Sequence, residues 1–368
     1  MEHFGIHTDI HMGEQALTLL ADFPMKKAAL FCDDFLYSSG MTKKAETFLK
    51  DRTIAYDVFS DIHPDPDLHT VSCGIKKMLE LEADTIIAMG GGSVIDTAKA
   101  VRYIIENQNP QLPHIKLIAI PTTSGTGSEM TSFSVITDKE SQTKYPLVDD
   151  KMLPDAALLD TDLVLSVPAS ITADTGMDVL THAIEAFVSS KHCDFSDAFA
   201  EKSARIIFEN LERAVKCGED RQAREHIHNA SCMAGIAFNS ASLGLCHAMA
   251  HALGARFHIS HGRCNAMLLS YVIMANGAKE PQRYKELADI LGIAKKEEST
   301  GVIQLVNRIR RLQRRVGIPE KIAQLCVDKK EYEAAIFDMA QAALQDNCMK
   351  TNPCPMTAQE IEAIYRKL

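Results

Sequence analysis

Five side chains able to bind a metal ion recur at short spacings in the second half of the 368-residue chain. Asp178 and His182 are four residues apart in GMDVLTHAIEAF, so they share one face of a predicted helix. His247 and His251 have the same spacing in LCHAMAHALG, and His261 follows in the loop-like segment HISHGRCN. Three imidazoles and one carboxylate suit a divalent transition metal such as Fe²⁺ or Zn²⁺. The residues therefore predict a metal site, but they leave open which three of the four histidines bind the ion.

The other histidines do not form such a pattern. His258 lies close to this group in sequence, and its role stays open. The rest are scattered in mostly polar segments and are predicted to be exposed: His3, His7, His11, His63, His69, His114, His192, His226 and His228.

A glycine-rich segment in the first half could bind a phosphate. Gly91, Gly92 and Ser93 come directly after an apolar strand-like run and open a helix-like stretch that includes Asp96 and Lys99. Glycines at such a turn let backbone N–H groups approach a pyrophosphate at a helix N-terminus. The spacing differs from G-x-G-x-x-G, and a tight structural turn would explain this segment alone equally well.

A second loop favours a dinucleotide. The run 121–129, PTTSGTGSE, also follows a strand and is rich in hydroxyl groups and glycines, including Thr122 and Thr123. Asp33 ends another strand, where its carboxylate can accept a hydrogen bond from a ribose hydroxyl and would repel a 2′-phosphate. These residues predict NAD rather than NADP, although Asp33 could also be a turn or cap residue.

The elements that must position these residues divide the chain into two parts. In residues 1–168, the strand-like runs 27–32, 85–89 and 116–120 alternate with helical patterns such as 42–50 and 68–81, which predicts an α/β dinucleotide-binding domain with a parallel sheet. Residues 169–368 have helical patterns alone, which predicts an all-α metal-binding and catalytic domain; these patterns cover 178–189, 194–215, 222–238, 302–316 and 358–367. We expect the active site in a cleft between the two domains.

Composition argues against several function classes. The formal net charge of −10 and the absence of Trp disfavour nucleic-acid binding, and we interpret the basic cluster at 308–315 as a solvated helix face. No apolar run approaches the roughly twenty residues that cross a membrane. The ten cysteines include no C-x-x-C pair, and the first residues resemble no secretory signal. We therefore expect a cytoplasmic protein with reduced, mostly buried thiols.

Four longer motifs make the chain resemble the iron-containing alcohol dehydrogenase family: GGGS-x-x-D-x-x-K at 90–99, PTTSGTGSE at 121–129, TGMD-x-L-THAIEA at 175–186, and G-L-x-HAMAH-x-LG at 244–254 with His261-Gly262. The resemblance implies the dehydroquinate synthase-like fold of iron alcohol dehydrogenases. It implies an iron site, or alternatively a zinc site, formed by Asp178, His182, His247 and His261. It also implies that His251 lies beside the nicotinamide, and that the residues binding NAD(H) are Asp33, Gly91, Gly92, Ser93, Asp96, Thr122, Thr123 and Lys144.

Within that family, the segments DPDLHTVSCGI, TKYPL and LGLCHAMAHALGARFH look like the propanol dehydrogenases of bacterial propanediol utilisation. The resemblance implies reduction of a short-chain aldehyde, propionaldehyde favoured, to the primary alcohol with NADH, and the reverse reaction. It also implies a homodimer or higher homo-oligomer, in the cytoplasm or within a bacterial microcompartment, with shell proteins or other enzymes as partners.

Several alternatives stay open. Two are oxidoreductases of the same type, the ethanol dehydrogenase of ethanolamine utilisation and a glycerol or polyol dehydrogenase. A dehydroquinate synthase-like lyase is less favoured, because its metal ligands would normally include Glu and it would lack the TGMD-x-L-THAIEA helix. A non-catalytic scaffold is less favoured, because all four implied ligand positions hold competent ligands. His251 is interpreted as a proton relay, as a residue that orients the nicotinamide, or as support for the metal. For Cys348 we favour a buried core thiol over a place at the substrate pocket.

Overall fold

A strand-and-helix unit precedes a helical unit along the chain. The computed structural model describes residues 3–138, 143–293 and 301–368, except for the side chains of Asp138, Thr143 and Lys144. The chain divides into two compact units, Met1–Ser166 and Val167–Leu368, next to the boundary predicted after residue 168.

The first unit is an α/β unit around a parallel sheet. Its strands are β1 (Asp9–Gly13), β2 (Lys27–Phe31), β3 (Ala55–Phe59), β4 (Thr85–Gly90), β5 (Lys116–Pro121), β6 (Phe133–Asp138), β7 (Thr143–Val148) and β8 (Ala156–Asp160). Its helices are α1 (Asp34–Ser38), α2 (Lys43–Asp51), α3 (Leu68–Leu81), α4 (Gly92–Gln108) and α5 (Thr161–Val164). Six parallel strands lie in the order β1-β8-β5-β4-β2-β3, and β6 and β7 form an antiparallel pair.

Apolar residues on both faces of the sheet explain why the sequence shows continuous apolar runs. Along β4, Ile86 and Ala88 belong to one hydrophobic cluster, and Ile87 and Met89 belong to another. Successive strand residues point to opposite faces, so both faces of this strand are buried. Strands β2, β4 and β5 are neighbours, which brings the ends of all three predicted strands to one edge of the sheet.

The sequence analysis did not identify the other five strands. β1 and β3 have partly exposed residues and no sustained apolar run, because each is an edge strand of the sheet. β8 is fully buried but only five residues long and follows Pro154, so its apolar run is short. Short runs of this kind carry little periodic signal.

The second unit consists of helices within the described residues. These are α6 (Ala169–Val188), α7 (Asp194–Lys216), α8 (Arg221–Ala241), α9 (Leu245–Phe257), α10 (His261–Lys279), α11 (Gln282–Ile290), α12 (Gly301–Arg315), α13 (Lys329–Gln345) and α14 (Ala358–Tyr365). Helix α6 is the central element, because almost all of its residues from Thr172 onward are buried and it packs against α7, α8 and α10.

Three expectations need correction. Helix α6 begins at Ala169 and not at 178, because its first turns carry small and polar residues without an apolar stripe. His261 is the first residue of α10 and does not lie in a loop. His228 is buried, not exposed, because it lies on the packed side of α8, and burial lowers its pKa to about 4.

The cysteines are less buried than expected. All ten lie within the described residues and are free, but just five are buried: Cys32, Cys232, Cys246, Cys264 and Cys354.

Among the described helices, none alone has the length and apolar composition of a membrane span; α8 and α9 meet that criterion only as a pair bent by 107°.

The contact between α6 and α10 depends on Gly262. A Cβ atom at this position would lie 2.6 Å from the backbone oxygen of Asp174 and 3.4 Å from the Cβ of Asp178. Backbone cannot rotate away as a side chain can, so any side chain here would push α10 off α6.

We expect Gly262→Ala to destabilise the protein by about 1–3 kcal/mol, because it overpacks this helix contact. It should also weaken metal binding, since His261 and Asp178 lie on the two helices involved. Denaturant unfolding and a metal-competition titration would measure both effects. Gly176→Ala is the matched control: its new methyl would meet the side chain of Leu211, which can rotate, so we expect a smaller loss. Unchanged stability and metal affinity in Gly262→Ala would contradict the prediction.

Candidate metal and cofactor sites

Three helices of the second unit bring four candidate ligands together. Asp178 and His182 project from α6, His247 from α9 and His261 from the start of α10. One potential ligand atom from each residue lies within 4.8 Å of the other three. This set is the one that the family resemblance implied, and His251 lies outside it.

Distances within this group suit a single ion. The Oδ1 atom of Asp178 lies 3.8 Å from Nε2 of His247 and 3.7 Å from Nε2 of His261. Two ligands held roughly 2.1 Å from a tetrahedral ion lie roughly 3.4 Å apart, so small side-chain shifts would close the site. The rings of His182 and His247 stack with centroids 4.6 Å apart, and Phe238 stacks on the other side of His182 at 4.5 Å.

His247 is the clearest indication that this group holds a cation. Its side chain is 1% exposed, and its Nε2 atom has no hydrogen-bond partner in the described part of the chain. Burial, followed by the proximity of His261 and His251, lowers the pKa of His247 well below its ordinary value. The ring is therefore neutral, and a buried neutral imidazole nitrogen without a partner is available to coordinate a metal ion.

Glu185, one turn beyond His182 on α6, orients that ring. Its Oε2 atom lies 2.6 Å from Nδ1 of His247, so Nδ1–H donates to the carboxylate and Nε2 keeps its lone pair. The same carboxylate accepts the backbone N–H groups of Gly244, Cys246 and His247 at 3.1, 2.6 and 3.4 Å. Glu185 thereby caps the N-terminus of α9, where backbone N–H groups have no partner within the helix.

Asn265 also supports the group. Nδ2 of Asn265 donates to Oδ1 of Asp178 at 2.7 Å and lies 3.1 Å from Nε2 of His261. Burial raises the pKa of Asp178 and raises that of Glu185 to about 7. The sequence analysis missed both Glu185 and Asn265, although each lies four residues or fewer from a candidate ligand, in HAIEA and HGRCN.

His251 lies at the edge of this group. It is 41% exposed, its ring stacks on His261 with centroids 5.2 Å apart, and its Nδ1 atom is 2.8 Å from Oδ2 of Asp346. Burial alone would raise the pKa of Asp346, but the hydrogen bond and charge of His251 lower it to about 2. Asp346 is a further residue that the sequence analysis did not single out.

Five of the predicted cofactor residues, Gly91, Gly92, Ser93, Thr122 and Thr123, lie directly after the carboxyl ends of β4 and β5. Gly91 is the N-cap of the 17-residue helix α4, which directly follows β4, and Gly92 and Ser93 form its first turn. Thr122 follows β5, and its N–H group donates to the oxygen of Gly90 at 3.0 Å.

The two loops approach each other closely at glycines. A Cβ atom on Gly92 would lie 2.8 Å from Cγ2 of Thr126, and one on Gly91 would lie 3.4 Å from Oγ1 of Thr123. Since Gly91 has no side chain to cap α4, the first N–H groups of this helix can meet a phosphate.

Asp33 and Asp96 both have structural partners. Asp33 is the N-cap of α1, and its Oδ1 atom accepts the N–H of Leu36 at 2.8 Å. Asp96 accepts from the hydroxyl of Ser128 at 2.5 Å and from the N–H of Val135 at 3.1 Å. Direct contact of either residue with a cofactor stays a prediction, and the side chain of Lys144 lies outside the described residues.

A buried lysine connects α4 to the second loop and the segment after it. Lys99 on α4 donates to the hydroxyls of Ser128 and Thr131 at 3.0 and 2.9 Å and to the oxygen of Phe133 at 2.9 Å. Burial lowers its pKa to about 8, against the opposing effect of Asp96 and Glu129. The lysine of the GGGS-x-x-D-x-x-K motif therefore holds the second loop in place.

We expect Glu185→Gln to weaken metal binding by about 10–100-fold, which is the usual effect of losing a carboxylate that supports a histidine ligand. Both Glu185 oxygens accept N–H groups, so the amide NH₂ of Gln would face a donor in either orientation. Titration of metal-free protein against a chelator would measure the change. Glu129→Gln is the control, because Glu129 is also buried with a pKa raised to about 7 but lies in the first unit. Equal metal affinity in Glu185→Gln and the unmodified protein would contradict this role.

Comparison with known proteins covers nearly the whole chain. The model named "Iron-containing alcohol dehydrogenase" matches residues 7–161, and "Fe-containing alcohol dehydrogenase family, C-terminal" matches residues 172–368. A 1-propanol dehydrogenase PduQ of Salmonella typhimurium is 42% identical, with all of both chains covered. An NADPH-dependent butanol dehydrogenase of Clostridium saccharobutylicum is 37% identical, covering 99% of this chain and 97% of its own.

The fold agrees with these matches. A crystal structure of 1,3-propanediol oxidoreductase superposes with a TM-score of 0.92 at 33% identity, covering 100% of this chain and 99% of the other. Both the α/β unit and the helical unit predicted from the sequence are present. The chain therefore belongs to the iron-containing alcohol dehydrogenase family and is an oxidoreductase that acts on alcohols.

Proposed function

We propose that this enzyme reduces a short-chain aldehyde, propionaldehyde favoured, to its primary alcohol with NADH, and catalyses the reverse reaction. The observation that carries the proposal is the group of Asp178, His182, His247 and His261, three of them buried, with the lone pair of His247 Nε2 held toward the group by Glu185. The choice of propionaldehyde rests on the full-length identity of 42% to a 1-propanol dehydrogenase.

These four residues would hold one Fe²⁺, or alternatively Zn²⁺. The ion supplies Lewis-acid polarisation of a carbonyl, and the bound nicotinamide supplies or accepts the hydride. The chain contributes the geometry, because Glu185 fixes the ring of His247 and Asn265 fixes Asp178. The low exposure of His247 and Asp178 keeps water away from these two ligands. Three neutral imidazoles and one carboxylate leave a net positive charge on a divalent ion, which favours an oxygen of the substrate.

The proposed cofactor residues are Asp33, Gly91, Gly92, Ser93, Asp96, Thr122, Thr123 and Lys144. The pyrophosphate would meet the N-terminus of α4, where no side chain of the Gly91 N-cap occupies the first backbone N–H groups. Asp33 would accept from the adenosine ribose, which favours NADH over NADPH. Relatives differ in this respect, since the butanol dehydrogenase is described as NADPH-dependent.

His251 is the proposed catalytic residue. Asp346 engages its Nδ1 atom, which leaves Nε2 as the nitrogen able to take up or release a proton. Its 41% exposure gives it contact with solvent, as a proton relay to the substrate oxygen requires. Orientation of the nicotinamide and support of the metal ligand His261 are the alternative roles for the same side chain.

The resemblance to the propanediol-utilisation branch also supports a homodimer that acts in the cytoplasm, beside or inside a protein-shelled microcompartment. The ten free cysteines agree with a reducing compartment. An ethanol dehydrogenase of ethanolamine utilisation and a polyol dehydrogenase are the alternatives that the substrate assay separates.

We expect metal-free protein reloaded anaerobically with Fe²⁺ or Zn²⁺ to oxidise NADH in the presence of aldehydes, fastest with propionaldehyde. The measurement compares kcat/KM for propionaldehyde, acetaldehyde and glycolaldehyde with each metal. Asp178→Asn is the control variant, and it should lose both bound metal and turnover, because it removes the anionic ligand. Faster acetaldehyde turnover would favour the ethanol dehydrogenase alternative. Protein that holds metal and NADH but turns over no aldehyde would contradict the proposed function.

We expect Asp33→Ser to reduce the preference for NADH over NADPH by at least about tenfold in kcat/KM, equal to about 1.4 kcal/mol. The substitution removes the carboxylate that would repel a 2′-phosphate, while serine can still cap α1. Asp34→Ser is the matched control, because Asp34 is the exposed neighbour in the first turn of the same helix. An unchanged ratio in Asp33→Ser, or the same change in Asp34→Ser, would show that Asp33 does not select the cofactor.

A further inference from the structure

A second group of potential metal ligands lies beside the four-residue centre. Potential ligand atoms of His251, Asp346 and Cys348 all lie within 4.8 Å of one another. Cys348 is half-buried and lies in this cluster, so it is not the fully buried core thiol that we favoured from the sequence. His251 connects the two groups, because its ring stacks on that of His261 at 5.2 Å.

Asp346 organises this cluster through both of its oxygens. Oδ2 lies 2.8 Å from Nδ1 of His251, and Oδ1 accepts the N–H of Cys348 at 2.8 Å. Asp346 also precedes the short 3₁₀ helix Asn347–Thr351 as its N-cap, which fixes the backbone that carries Cys348. One imidazole, one carboxylate and one thiol are thereby presented to a common point from α9 and from the segment after α13.

The ligand set selects a class of cation. A thiolate with an imidazole and a carboxylate suits Zn²⁺ or Cd²⁺ better than a hard ion such as Mg²⁺. Binding would replace the proton of the Cys348 thiol, which passes to solvent as the sulfur–metal bond forms. One thiolate and one carboxylate then balance the two charges of the ion.

Exposure distinguishes this cluster from the four-residue centre. The side chains of His251 and Asp346 are 41% and 20% exposed, whereas those of His247 and Asp178 are 1% and 4% exposed. His261 of the four-residue centre is also 41% exposed, but its other three ligands are buried, so an ion there exchanges with solvent more slowly than an ion held by three partly exposed residues.

We infer that His251, Asp346 and Cys348 form a second, exchangeable cation site that takes Zn²⁺ or Cd²⁺ and inhibits the enzyme. Inhibition follows because the ion occupies the Nδ1 atom of His251 and separates this ring from Asp346. The inhibitory consequence rests on the role proposed for His251, but cation binding does not.

Cadmium provides a direct test, because the four-residue centre contains no thiol. We expect anaerobic protein that is already loaded with Zn²⁺ to develop ultraviolet thiolate-to-cadmium charge-transfer absorption when Cd²⁺ is added. Cys348→Ser should abolish this absorption, and Asp346→Asn should weaken cadmium binding by at least about tenfold. Cys73→Ser is the matched control, because Cys73 also lies beside an imidazole, with Sγ 3.6 Å from Nε2 of His69, and this variant should keep the absorption.

Absorption that persists in Cys348→Ser, or that disappears in Cys73→Ser, would overturn the assignment. If Cys348→Ser fails to fold, Asp346→Asn provides the test instead. Unchanged cadmium affinity in Asp346→Asn would also overturn the assignment of this cation site. In the aldehyde assay, excess Zn²⁺ should inhibit, and a brief chelator treatment should restore activity without removing the buried ion. Cadmium absorption without inhibition would refute the inhibitory role alone. Absence of aldehyde turnover in every sample would instead refute the proposed function and leave the binding result standing.

Discussion

The bond between Glu185 and His247 is the interaction on which the metal centre depends. Glu185 lies on α6, which also carries Asp178 and His182, and its carboxylate caps the first N–H groups of α9, which carries His247. One buried side chain thus fixes the position of α9 against α6 and the direction of a ligand ring. Burial of a carboxylate is costly, and four N–H donors at one group compensate for this cost.

In the first unit, a buried positive charge positions neighbouring segments, as the buried Glu185 carboxylate does in the second unit. The ammonium group of Lys99 is buried between α4 and the second loop, and two hydroxyls and a backbone oxygen accept its hydrogen bonds. The second loop can therefore consist of small residues, as the proposed contact with a ligand phosphate requires. Each unit thus has a buried charged side chain, Glu185 or Lys99, that is not itself predicted to bind the ion or the phosphate. It positions the segments that are predicted to bind them.

The sequence predicted those parts of the molecule that have a strong local pattern. The buried strands β2, β4 and β5 carry continuous apolar runs, and helices such as α3 and α7 were predicted nearly to their ends. Asp178, His182 and His247 were recognisable because i, i+4 spacing on a helix is visible in one dimension. Glu185, Asn265 and Asp346 were not, because their partners lie 62, 87 and 95 residues away, and only the packing of α6, α9, α10 and the segment after α13 reveals the contacts.

The four candidate ligands differ in where they lie along their helices. Asp178, His182 and His247 lie within the body of α6 or the capped start of α9, whereas His261 is the first residue of α10 and is 41% exposed. Helix ends open more readily than helix interiors, so fraying of one turn would free His261 without unpacking the core. A metal ion bound by these four residues would then enter and leave through the opening of a single helix end, and its lifetime on the enzyme would depend on how firmly Ser260 and Arg263 hold that turn to Asp174.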